Sequence, residues 1–127
     1  MQDRHLYEYA VIRVVPRVER EEFVNAGIIV FCKRQKFIKV LFTINEVKLN
    51  ILCPDLDTEQ LKRNLESFER IAHGAKDGGP IAQMEFAERF RWLTAVRSSV
   101  IQTSRPHPGL CLNLELKTEA LFKEIVL

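Results

Sequence analysis

The sequence predicts an α+β fold: a three-stranded antiparallel meander plus a later fourth strand, with helices packed on the sheet. Three observations carry this. Residues 7–42 hold three runs rich in β-branched and aromatic residues, separated by short polar connections. From Asp57 onward the apolar residues recur at helical spacing instead. Hydrophobic residues make up 46% of the chain and charged residues 28%, which suits a packed globular protein and argues against disorder. At 127 residues the chain fits one domain, residues 1–127, large enough to bury a core without a disulfide or metal staple.

Residues 7–15 read as the first strand. Tyr7, Tyr9, Val11, Arg13 and Val15 alternate with Ala10, Ile12 and Val14, so both faces are apolar enough to be covered. Pro16 ends it because proline cannot donate to a strand ladder. The second strand, residues 23–31, is apolar almost throughout, as for a central strand. Strict alternation groups Val24 and Ala26 with Ile28 and Val30. Asn25 and Gly27 interrupt the other face, and Gly27 marks a bulge or a close backbone approach. Residues 32–36 connect to a third strand, 37–42, through a loop without glycine.

Asn45 can cap a short helix over residues 46–52, which Pro54 stops. Asp57 with Gln60 resembles a capping box, and Leu61, Leu65, Phe68, Ile71 and Ala72 form the buried face of the helix that follows. Gly74 supplies a left-handed cap. Pro80 can open another helix through Met84, Phe86 and Ala87, with residues 90–96 continuing it. Residues 99–104 read as the fourth strand, residues 105–109 as a turn around Pro108-Gly109, and residues 117–126 as a closing helix.

The net charge of +2 gives no reason to expect a nucleic-acid or membrane partner. The basic run Lys33, Arg34, Lys36 and Lys39 reads as a solvated hairpin, with phosphate contact and non-specific nucleic-acid binding as the weaker alternative. Cys32, Cys53 and Cys111 are scattered, as for reduced thiols of a cytoplasmic protein. The opening residues are too polar for a signal peptide, and no apolar run could span a bilayer. No metal is expected, since His107 and Cys111 make at most one close ligand pair. No cofactor is expected either: the glycine-rich phosphate motifs are missing.

Ser98, Ser99 and Ser104 sit outside any nucleophile elbow, although His107 could serve one as a base. Glu85 reads as a solvated partner for Arg89, four residues on. The remaining cluster is Arg89, Arg91, Trp92 and Arg97, followed by Ser98, Ser99 and Gln102. Guanidinium groups suit carboxylate or phosphate. Arg13 lies on an apolar strand face and needs an acid such as Glu22, or an anionic ligand. Two readings stay open: internal bracing of helix to sheet, or an anion-binding pocket.

Two stretches carry a family resemblance: YAVIRVVPRVEREEFVNAGIIVFC over residues 9–32 and RFRWLTAVRSSVIQTSRPHPGL over residues 89–110. They resemble the bacterial family catalogued as domain of unknown function 3037. The family pattern falls on Arg13, Phe23, Asn25, Gly27, Arg89, Phe90, Trp92, Leu93, Arg97, Ser98, Gln102, Ser104, His107 and Gly109. The chain departs from it at Leu112, Asn113 and Leu114, where members tend to carry acidic residues and a proline. The resemblance implies a small stand-alone bacterial protein with no defined reaction, and a neighbouring persistence-toxin-type protein kinase as a protein partner.

With the resemblance added, the candidate ligand-binding set is Arg13, Asn25, Arg89, Arg97, Ser98, Gln102 and His107. The expected function is a non-catalytic binding or accessory module for a protein partner or an anionic ligand. The alternative is an enzyme acting on a phosphorylated or nucleic-acid substrate through the Arg/Ser/His cluster.

Overall fold

The computed structural model describes residues 4–95 and 99–127. Among them lie five strands and four α-helices, an α+β fold. In chain order these are β1 (His5–Val14), β2 (Val24–Cys32), β3 (Phe37–Phe42), α1 (Glu46–Leu52), α2 (Thr58–Ala72), α3 (Phe86–Leu93), β4 (Ile101–Thr103), β5 (His107–Cys111) and α4 (Leu114–Ile125). All strand pairs are antiparallel, in the order β3-β2-β1-β4, with β5 also paired to β1.

The meander forms as predicted with β2 in its middle, and β1 is covered on both faces. Ala10, Ile12 and Val14 face one core with Leu49, Leu61, Leu65, Phe90 and Leu93 from α1, α2 and α3. Tyr7 and Val11 face a second core with Ile28, Val30, Leu114 and Leu121, the last two from α4. The apolar character of both faces of β1 therefore reports helices on both sides of the sheet.

A bulge sets the phase of β2. Ile12 pairs with Gly27 and Arg13 with Asn25, so Ala26 is the extra residue. Beyond the bulge the alternation reverses. Val24 and Ala26 pack with Ile29 and Phe31 under α2 and α3, not with Ile28 and Val30 as strict alternation groups them. Gly27 beside it permits the close approach: a Cβ there would stand 2.5 Å from the Leu41 carbonyl oxygen.

The fourth-strand region holds the main correction. Residues 105–109 were expected to be a turn, yet His107–Cys111 is a strand paired to the first half of β1, while β4 pairs to its second half. Pro108 fits because β5 is an edge strand, where a missing N–H can face outward. Gly109 fits because the ring of Tyr7 lies across it, within 2.5 Å of where a Cβ would stand. Between β4 and β5 the ladder would leave the Val11 N–H without a partner. The Ser104 hydroxyl accepts it at 2.9 Å and donates to the Arg105 carbonyl at 3.0 Å.

The helix ends follow their capping residues. Asn45 accepts from the Lys48 N–H at 3.1 Å, and Asp57 accepts from the Gln60 N–H at 3.0 Å. The capping box at Asp57 is half formed, since the Gln60 side chain turns instead to Asn64 and Arg63. The single long helix expected after Pro80 is broken. A 3-10 turn at Ile81–Gln83 is followed by extended Met84 and Glu85, and only then by α3. Asn113 caps α4 through the Leu116 N–H, so this helix begins at Leu114, three residues before the predicted start. No helix among the described residues is long and apolar enough to cross a membrane.

Candidate functional site

The candidate residues separate into two places. Arg13 stands between Asn25 and Gln102 in the strand register, forming a polar row across β2, β1 and β4. This row lies on the sheet face that carries α4, and the Asn25 amide points at the Ile125 carbonyl, 3.4 Å away. Arg13 does not find the expected acid. Glu22 pairs with Arg20 at 2.7 Å, and the Arg13 guanidinium instead covers the ring of Phe23 at 4.3 Å. Its Nε and the Asn25 Oδ1 are both buried without a hydrogen bond. Gln102 spends its amide on the Ser99 carbonyl at 2.8 Å. His107 is exposed on β5, its ring 5.4 Å from that of Tyr9. Arg97 and Ser98 lie outside the described residues.

Arg89 sits apart, on α3 beyond the opposite face of the sheet. Phe90 beside it anchors α3 by stacking on Phe31, ring centres 4.9 Å apart. Arg89 is only 7% exposed. Its Nη1 donates to the Ala82 carbonyl at 3.2 Å, its guanidinium covers Phe86 at 4.5 Å, and its Nε has no acceptor. The expected pair with Glu85 does not form: the ion pairs among the described residues are Arg20–Glu22 and Lys39–Glu115.

The C-terminus of α2 makes the seat. Gly74 takes the left-handed conformation at φ 69° that closes the helix, with the Ala75 N–H bonded to the Arg70 carbonyl. The missing side chain has a second use here, since a Cβ on Gly74 would collide with Arg89 Nη1. Burial pulls the guanidinium below its ordinary value, though arginine remains charged at neutral pH.

Arg89 lines a cleft of about 550 Å³ together with Lys33 and Lys36 from the β2–β3 hairpin and His73 from the end of α2. Lys33 and Lys36 belong to the basic run read from the sequence as a solvated hairpin. The sequence alone assigns His73 no role in binding an anion. Lys39, from the same run, turns to Glu115 at 2.5 Å. The cleft thus joins three distant stretches, and no local sequence signal links them.

His73 has a defined job. Its Nε2 accepts the Val40 N–H at 3.2 Å, tying the end of α2 to β3. That bond needs the neutral ring with its proton on Nδ1. Burial beside the strand lowers the His73 pKa; Glu69 opposes this, while Lys39 and Arg89 add to it. The unfolded chain therefore takes up the proton first on acidification. This contribution to stability is complete above about pH 6.5 and is lost as the pH falls from there through the folded value. Gln can accept the same N–H without titrating, so His73→Gln should lose less stability than wild type between about pH 6.5 and 5. Urea unfolding across that range checks this; identical slopes would show that the bond does not titrate.

A second hollow, of about 600 Å³, lies between α2, α3 and β4. Its described lining includes Phe68, Ile71, Trp92, Leu93, Ile101 and Gln102, and no charged side chain. It offers apolar volume, whereas the Arg89 cleft offers charge.

The model of the family of proteins of unknown function DUF3037 matches residues 9–126. The chain belongs to that family. No curated protein and no solved structure matches it. The DUF3037 match takes in every candidate residue, and also Lys33, Lys36 and His73 of the cleft. Membership agrees with the resemblance read from residues 9–32 and 89–110 and assigns no reaction.

Proposed function

We propose that the protein is a non-catalytic binding module that takes an anionic ligand in the Arg89 cleft. One observation carries this reading: Arg89 is a buried guanidinium that forms no ion pair among the described residues. Its partners are a single carbonyl, an aromatic face and the end of α2. A helix C-terminus supplies roughly half a negative charge, and the ring face contributes about 0.5–2 kcal/mol. Neither matches the several kcal/mol that an unpaired buried charge costs. An anion completes the pairing. At 4 Å and an effective dielectric near 20 the attraction is on the order of 4 kcal/mol, which alone corresponds to a dissociation constant of about 1 mM.

Catalysis by an arginine, a serine and His107 has less support. The Ser104 hydroxyl is engaged by backbone groups, and His107 lies beside Tyr9, on a different element from Arg89. Amide chemical shifts followed during titration with inorganic phosphate, at constant ionic strength, test the binding reading. Saturable shifts are expected at residues 33–36, 73–75 and 82–89, with half-saturation near a millimolar. Diffuse shifts that never saturate would remove it.

A further inference from the structure

We infer that the natural ligand of the cleft is a small phosphate monoester, its doubly charged phosphoryl group held by Arg89, Lys33 and Lys36. This rests on the anion-binding reading above and narrows it. The first support is charge. Among the described residues the cleft is lined by three cations, Lys33, Lys36 and Arg89, against one carboxylate, Glu85. His73 keeps a lone pair on Nε2 for Val40 and so stays neutral. Two positive charges remain, which a phosphate monoester matches near pH 7 and a monocarboxylate or a phosphodiester only half matches.

The second support is the hairpin. Lys36 adopts the left-handed conformation at φ 51°, closing the turn with its N–H on the Lys33 carbonyl at 3.2 Å. Glycine is the usual residue there, and a long side chain bears a steric cost. Such strain is retained where it places a working group, and both ends of this turn are lysines that line the cleft.

The third support is size. A volume of about 550 Å³ lies within the range of small-molecule sites and exceeds the need of a bare phosphate. Met84, Phe86 and Ala87 give the organic part an apolar wall. On the far side of the run Lys39 is paired with Glu115, which leaves Lys33 and Lys36 as its members in the cleft.

Calorimetric titration of the intact protein with glycerol phosphate, dimethyl phosphate and acetate at pH 7.5 and matched ionic strength tests this. Glycerol phosphate should bind at least about tenfold more tightly than either monoanion. Lys33→Met and Lys36→Met should each weaken glycerol phosphate severalfold while barely changing acetate. Equal affinities for all three anions, still lost in Arg89→Met, would overturn the monoester and leave the anion site standing. Tighter binding of dimethyl phosphate or acetate would do the same. No binding of any of the three would remove both.

Discussion

Arg89→Met should leave folding stability within about 1 kcal/mol of wild type and abolish saturable phosphate binding. A gain and a loss oppose each other in the variant. Methionine keeps an unbranched apolar stem against Phe86 and removes a buried charge that forms no ion pair among the described residues. It also strands the Ala82 carbonyl, a loss of about 1–3 kcal/mol. If Arg89 instead braced the interior through a completed ion pair, its removal would cost about 3–5 kcal/mol. The two readings therefore differ by several kcal/mol in one denaturation experiment, and they differ again in the titration. A large loss of stability with binding retained would assign Arg89 to architecture.

Leu65→Ala should cost about 2–5 kcal/mol. Leu65 is fully buried on α2, in the core shared with Ile12, Ile29 and Phe90. Truncation loses the transfer energy of the removed atoms and leaves a void that helices on a sheet close only in part. The consequence reaches the cleft, because the same helix ends at His73 and Gly74. Chemical denaturation measures the cost; an unchanged midpoint would show that this face of α2 is not packed as the structure has it.

Residues with strong local rules could be read directly from the sequence. β3 and α1 have the boundaries that β-branched content and the Asn45 cap predict, and the α2 face was visible in the spacing of Leu61, Leu65 and Phe68. The failures came where tertiary demands overrode local preference. Pro108-Gly109 is a strong turn signal, but an edge position tolerates the proline and the ring of Tyr7 requires the glycine. Ala26, not Gly27 itself, became the bulged residue and reversed the alternation of Val24 and Ala26.

The site was legible only as a residue type. Arg89 stood out as a member of an arginine-rich cluster, yet its company of Lys33, Lys36 and His73 arrives from a hairpin and a helix end far along the chain. The lysines looked like any solvated turn. Arg13, read as needing an acid or an anionic ligand, covers an aromatic ring, a partner that charge counting does not anticipate.

Melting temperatures of wild type and Arg89→Met, each with and without millimolar glycerol phosphate at constant ionic strength, bear most directly on whether Arg89 awaits an anion. A ligand that binds the native state alone raises its midpoint. Binding at Arg89 predicts a rise for wild type and none for the variant. An equal rise in both, or no rise in wild type, would contradict it.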